Sequence, residues 1–322
     1  MLRIVAIFLL GLMASANAQP SAQEHWPSRT ITIVVPYAAG TAPDVIARQF
    51  GDALSTRVGQ PVVIDNKLGA GGLIGTEYAA QAKPDGYTLF LGTKDTQAVI
   101  AHLYSNRKFD PTQALTPISL LGRIVNVIVA GENLDINSMK ELVEASRKGR
   151  NFTFASPGVG TNLHLLGELI KAEEKLNLTH VPYRNFGTAF QDAMAGRVDL
   201  VVAGLPPVAN LVAAKKLKVL VTTAPERVPA IPDTPTMAEL GYKDLTFIGW
   251  FGLLAPAGTP QVILDRLNAE AKSISQMPAH RERMQKIHVE AVSNSPAEFR
   301  ALIASESERL GGLIRKIGIK AE

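Results

Sequence analysis

Apolar positions along this chain fall into two alternating patterns, short β-branched runs and longer stretches with helical spacing. Residues 30–35 form a β-branched run that stops at Pro36, and residues 44–57 follow with Val45, Ile46, Phe50 and Leu54 on one helical face. A second strand is predicted at 61–65, then a small-residue turn at 67–72 and a helix to about residue 82. Pro84-Asp85-Gly86 turns the chain into a strand at 87–91. The unit repeats in the middle of the chain. Strands are predicted at 151–155, 179–182, 198–202 and 217–222, with helices at 162–175, 188–195 and 207–216 between them. A strand at 247–254 and two charged helices, 260–275 and 296–316, complete the pattern. Such alternation predicts an α/β protein of parallel sheets covered by helices on both faces.

The 322 residues are about twice the length of one typical domain, which points to two lobes. The pattern places the first at 19–124 plus 247–322 and the second, inserted, at 125–246. Two chain crossings of this kind make a hinge with a cleft between the lobes. Ahead of them, Arg3, an apolar stretch at 4–14 and Ala16-Asn17-Ala18 give the layout of a secretory signal peptide over residues 1–18, cleaved after Ala18. The competing reading, an uncleaved anchor, needs a span of roughly 20 apolar residues, and this run is shorter. With no cysteine, disulfides, thiolate metal sites and lipid attachment through cysteine are excluded. The net charge of +4 is spread among acidic residues without a basic run, so no nucleic-acid partner is expected. An exported monomer is.

Candidate chemistry concentrates in strand-to-helix turns built from small residues. The first runs from Pro36 through Tyr37, Ala38, Ala39, Gly40 and Thr41 to Asp44. The next is Gly69-Ala70-Gly71-Gly72 through Gly75, and the last is Ser156 through Gly160 and Thr161. Each leaves backbone N–H groups exposed at a helix N-terminus, where orphan donors and the helix dipole favour an anion. In α/β sheets the ligand crevice lies outside the carboxyl ends of the strands, where these turns sit. One such turn alone would be read as a tight turn needing glycine. Gly69, Gly71 and Gly75 have the wrong spacing for a dinucleotide fingerprint, and no phosphate loop occurs, so no cofactor is expected and a carboxylate fits better.

Catalysis finds little in the sequence. Ser156 follows Phe154-Ala155 and so does not sit in a Gly-x-Ser-x-Gly elbow. No two of the six histidines have metal-ligand spacing; His164 and Glu168 share a helical face, read as an ordinary helix contact, and no metal is expected. The charged segment 281–286 reads as a solvated helix face. An exported enzyme acting on a carboxylate would have to use Asp95, His164 or Tyr183 as acid or base.

Ordered blocks of residues then resemble a known family. Trp26-Pro27, residues 30–37 and 44–48, Gly59 through Asn66, Gly69-Ala70-Gly71-Gly72, Pro84 through Leu89 and Leu91-Gly92-Thr93 resemble the first lobe of the Bug family, the TctC-like receptors of tripartite tricarboxylate transporters. Residues 155–161, 180–184, 232–236, 250–253 and 255–260 continue it, so the resemblance spans essentially the whole mature chain. It implies a type II periplasmic binding protein fold, α/β with two lobes, a hinge and a central cleft, and a carboxylate held by backbone amides and ordered water. It implies contacts from Tyr37, Ala38, Ala39, Gly40, Thr41, Ala70, Gly71 and Gly72 in the first lobe, and from Ser156, Gly160, Thr161 and Asn162 in the second. Thr93, Tyr183 and Gly204 complete the candidate set. A membrane permease is the implied partner, and a ligand-sensing receptor for a signalling system is the alternative. The departures are Thr41 and Pro43 in the first turn, Lys94-Asp95 after Thr93 and Ala203-Gly204 after Val202. Pro43 removes one N–H but suits a first helical turn. Lys94 either meets a second ligand carboxylate or is a solvated loop lysine.

Overall fold

The computed structural model describes residues 26–104, 109–183, 185–242 and 245–318. The segment read as a signal peptide, 1–18, lies outside the described residues, as does Arg184. In chain order the elements begin with β1 (Ile31–Val35), α1 (Ala42–Val58), β2 (Val62–Asn66), a 3-10 turn at Ala70–Gly72, α2 (Leu73–Ala80) and β3 (Thr88–Thr93). A π-helical turn at Asp95–Val99 leads into α3 (Ile100–Leu103), α4 (Pro111–Ala114), β4 (Leu115–Gly131) and α5 (Met139–Arg147). Next come β5 (Phe152–Ser156), α6 (Asn162–Glu174), β6 (Leu178–Pro182), α7 (Phe186–Met194), β7 (Leu200–Gly204), α8 (Leu205–Ala213) and β8 (Leu217–Thr222). The chain closes with β9 (Ile248–Pro256), α9 (Gln261–Gln276), α10 (Pro278–Lys286), β10 (Glu290–Ala291) and α11 (Pro296–Ile317).

Strands β1, β2 and β3 run parallel, as do β5, β6 and β7, in line with the alternating pattern. The expectation of parallel pairing fails at β4, β8 and β9. Strand β9 is antiparallel to β3 and β4, and β7 and β8 are antiparallel to β4. The reason is β4 itself, whose 17 residues serve both sheets. Its first part, 115–125, pairs with β9, and from Asn126 onward it pairs with β7 and β8. Its pattern is an almost continuous buried run, so it shows no period that would separate it from a helix.

The two points at which the pattern divides the chain lie side by side. Val125 pairs with Ile248, and the Asn126 amide donates to the Phe247 carbonyl at 2.7 Å, where the Thr223 hydroxyl donates as well. Core packing follows a somewhat different partition. Ala98, Val99 and Leu103, together with Leu310 and Ile314 of α11, share one apolar cluster with Phe152, Phe154, Leu165 and Val202 of the second lobe. The first lobe keeps its own cluster, in which Ile46, Phe50 and Leu54 of α1 pack on Ile31, Ile33 and Leu89. Removing these side chains from water supplies the main favourable contribution in each lobe. Val45, expected on that face, lines the cleft instead.

Candidate functional site

The turns after β1 and β5 have nearly the same construction. Gly40 and Gly160 take φ of 81° and 80°, a left-handed conformation that glycine adopts without steric cost. The next residue is a threonine whose hydroxyl donates back to a carbonyl three residues earlier, Thr41 to Ala38 at 2.6 Å and Thr161 to Gly158 at 2.9 Å. Each glycine N–H donates to a side chain four residues on, Gly40 to Asp44 at 2.9 Å and Gly160 to His164 at 3.2 Å. Thr161 additionally caps α6 by accepting from the His164 N–H.

Between these turns lies a cavity of about 550 Å³. Its wall brings together Tyr37, Gly40, Thr41, Thr93, Lys94, Thr161, Asn162 and Gly204 from the expected set. The remaining expected residues lie off the wall. Ala38 and Ala39 are exposed, and Ala70, Gly71 and Gly72 form a separate 3-10 turn. Ser156 is buried beneath its turn, where its hydroxyl meets His180 Nε2 at 2.7 Å, and Gly160 is held against Leu103. The Tyr183 hydroxyl donates to Asp192 at 2.8 Å. The further helix start on the wall is that of α8, with Pro206 and Pro207. These two prolines carry no N–H, so α8 offers fewer donors than an ordinary helix start.

Lys94 has a partner within the protein. Its side chain is 2 % exposed, with the ammonium 3.0 Å from Glu306 of α11 and 4.4 Å from the Phe247 ring centre. Burial lowers its pKa to about 8, with Glu306 working in the opposite direction. The ammonium is thus held by α11 rather than by solvent, which corrects the reading of a solvated loop lysine. Sequence gave no sign of this, because Glu306 lies on the last helix.

Asp95, a conceivable acid or base and one of the departures from the family pattern, has a larger place in the structure than its sequence suggests. It sits on the cavity wall and is 8 % exposed. Its Oδ1 accepts from the Asn162 backbone N–H at 2.6 Å and the Asn162 amide at 2.8 Å, across the cleft. Its Oδ2 accepts from the Tyr37 hydroxyl at 3.3 Å. Burial raises the Asp95 pKa, opposed by the Asn162 and Tyr37 hydrogen bonds and by Lys94. Burial and the neighbouring Asp95 charge push the Tyr37 hydroxyl well above its usual value.

Backbone donors remain where helices α1 and α6 begin. Among the described residues, the N–H groups of Ala42, Asp44 and Leu163 have no protein acceptor. Beneath α1, burial acts to raise the Asp44 pKa, but hydrogen bonds from Arg48, Gly40 and Asn66 hold it below the usual value. Apolar side chains fill much of the remaining wall, including Ile124, Phe186, Phe190, Phe251, Ile287 and Val289. Phe186 and Phe190, an i,i+4 pair at the start of α7, were the legible sequence signal for this apolar side, but the helix was expected to begin two residues later. Lys286, from the segment read as a solvated helix face, also reaches the wall and is paired with Glu282 at 2.9 Å.

Comparison with known proteins gives the family. Residues 46–319 match the family described as tripartite tricarboxylate transporter family receptor, TctC. The chain belongs to that family. Protein BugT of Bordetella pertussis is 31% identical over 322 residues, covering 99% of each chain. The periplasmic binding protein BugD is 31% identical with a TM-score of 0.83, over 92% of this chain and 100% of BugD. An R. palustris protein solved with adipate is 30% identical with a TM-score of 0.85, over 92% of this chain and 99% of that one. The type II periplasmic binding protein fold and the receptor class of this TctC-family chain, which is not an enzyme class, follow from the family match and from BugD, a periplasmic binding protein. Among its described residues no helix is long and apolar enough to cross a membrane.

Proposed function

We propose that this TctC-family receptor is exported through a cleavable signal peptide at 1–18 and works as a monomer. It captures a small carboxylate between its lobes and delivers it to the membrane permease subunits of a tripartite transporter. The observation that carries this reading is the cavity at the N-termini of α1 and α6, in a chain similar to a protein solved with adipate. The unengaged Ala42 and Asp44 N–H groups at the positive end of the 17-residue helix α1 suit an acid group. Capture works by closure, because contacts from both lobes exist together only when the cleft is shut, and the ligand shifts the equilibrium toward that state.

Thermal unfolding of refolded, ligand-free protein against a panel of mono-, di- and tricarboxylates, amino acids, aromatic acids and their amides tests the reading. A ligand at 100 times its Kd adds about 2.7 kcal/mol, enough to raise the midpoint by several degrees. A shift of that size with an acid, absent with its amide, is expected. No shift across the panel in folded protein would overturn carboxylate capture.

A further inference from the structure

The cavity wall carries few charges, and they are not equally satisfied. Lys94 is paired with Glu306 and Lys286 with Glu282, while among the described residues no ion pair reaches Asp95. Its two oxygens also differ. Two donors from Asn162 fill Oδ1, whereas Oδ2 has the Tyr37 hydroxyl alone, at 3.3 Å, and that hydroxyl is shared with Thr93 at 3.0 Å. Beside it, the Asn162 Oδ1 atom is buried with no hydrogen-bond partner. Both atoms only accept when the carboxyl is ionised, and both sit on residues of the cavity wall. A buried carboxylate whose neighbouring cation, Lys94, is paired with another acid, and a buried amide oxygen without a donor, are each costly. One corner of the cleft therefore offers more acceptor capacity than its donors fill, and its nearest cation is held by Glu306.

The protein's own carboxylate already occupies the backbone N–H at the start of α6, one of the donors that a second ligand carboxylate would need. A ligand anion placed there would face Asp95 with like charge in a poorly solvated site. We infer that Asp95 is a specificity-determining residue that excludes a second carboxylate and takes an ammonium or other hydrogen-bond donor of the ligand on its Oδ2, beside Asn162 Oδ1. This inference rests on the carboxylate reading above, and it narrows the solute to an acid with a donor at its far end and an apolar body between. Ile124, Phe186, Phe190 and Phe251 line the cavity to receive that body.

The test is titration calorimetry of the full mature protein and its Asp95→Asn and Asp95→Ser variants with matched probes on two frames. The linear frame is adipate, 6-aminohexanoate, hexanoate and hexane-1,6-diamine. The ring frame is terephthalate, 4-(aminomethyl)benzoate and 4-methylbenzoate. The expected result is an amino acid binding at least tenfold more tightly than the diacid of its frame in the parent protein, with that preference lost or inverted in whichever variants keep a cooperative thermal transition. A diacid that binds as tightly as its amino acid, or a preference that both folded variants retain, would overturn the role of Asp95. Binding of the diamine alone, abolished by Asp95→Asn, would uphold Asp95 as the donor acceptor while refuting the carboxylate reading. Silence of every probe would refute both.

Discussion

The turns at 36–41 and 156–161 hold the same backbone shape with different chemistry behind it. In the first lobe the Gly40 N–H rests on the Asp44 carboxylate, which also accepts from Arg48 at 2.9 Å and Asn66 at 2.9 Å. In the second lobe the Gly160 N–H rests on a neutral imidazole. His164 stacks on His180 with ring centres 4.0 Å apart, and His180 meets Ser156. The lesson is that a glycine turn specifies a shape, while its supporting residues decide what disturbs it. A charged network resists acid and fails when its carboxylate is removed, whereas an imidazole pair fails on protonation.

The largest effect should come from the first network. Asp44→Ala leaves the Gly40 N–H without its acceptor and takes one acceptor each from Arg48 and Asn66, and should cost about 3 kcal/mol, at the lower end for a broken buried pair because Arg48 is half-exposed. Urea unfolding would measure it, and a loss below 1 kcal/mol would count against the network. Next in size is an alanine in each turn. At Gly160 a Cβ would lie 2.5 Å from Leu103 Cδ1, whereas at Gly40 it meets open space. Gly160→Ala should cost about 2–3 kcal/mol and Gly40→Ala about 1, since both bear the left-handed penalty but one also crowds a buried leucine. Equal costs would show that the second turn gives way more easily than its packing indicates.

Acidification separates the lobes by about 2 kcal/mol. Burial, with His164 and Lys171 adding to it, lowers the His180 pKa to about 4, and burial lowers that of His164 in spite of Glu168. Both bases take up protons more readily in the unfolded chain. Their contribution is therefore present above the ordinary histidine pKa of about 6.5 and is lost as pH falls from there toward 4, by about 2 kcal/mol for these partly buried rings. Urea midpoints across that range should fall in the parent and flatten in His180→Gln. The Asp44 network, its carboxyl held below the usual value, should weaken only at lower pH. The smallest effect is on ligand affinity in Lys94→Ala. Because Glu306 keeps a second cation in Arg309, losing the Lys94 ammonium should lower stability by only about 1–2 kcal/mol and leave the Kd for a bound acid within about twofold. A tenfold loss of affinity would restore Lys94 to the ligand.

Much of the fold was legible because its signals are local. β-Branched runs, helical faces and Gly/Pro turns placed α1, β5, α6, β8 and α11 within a few residues. The antiparallel pairing was not legible, because β4 is buried nearly throughout and its partners lie 70 or more residues away. The site divides in the same way. Gly40, Thr41 and Thr161 were readable from turn chemistry, and Asn162 from the family resemblance. The fate of Lys94 depended on α11, the burial of Asp95 on the approach of the two lobes, and the apolar wall on segments from α7, β9 and the stretch 286–289. Such groupings exist only after folding.

The most direct measurement is a crystal structure of the protein with the acid that stabilises it most. The account predicts a carboxylate within hydrogen-bond distance of the Ala42 or Asp44 N–H, the opposite end of the ligand at Asp95, and an apolar body along Phe186 and Phe190. An acid bound outside this cavity, or one whose carboxylate displaces Asp95 from Asn162 while the first turn stays empty, would contradict it.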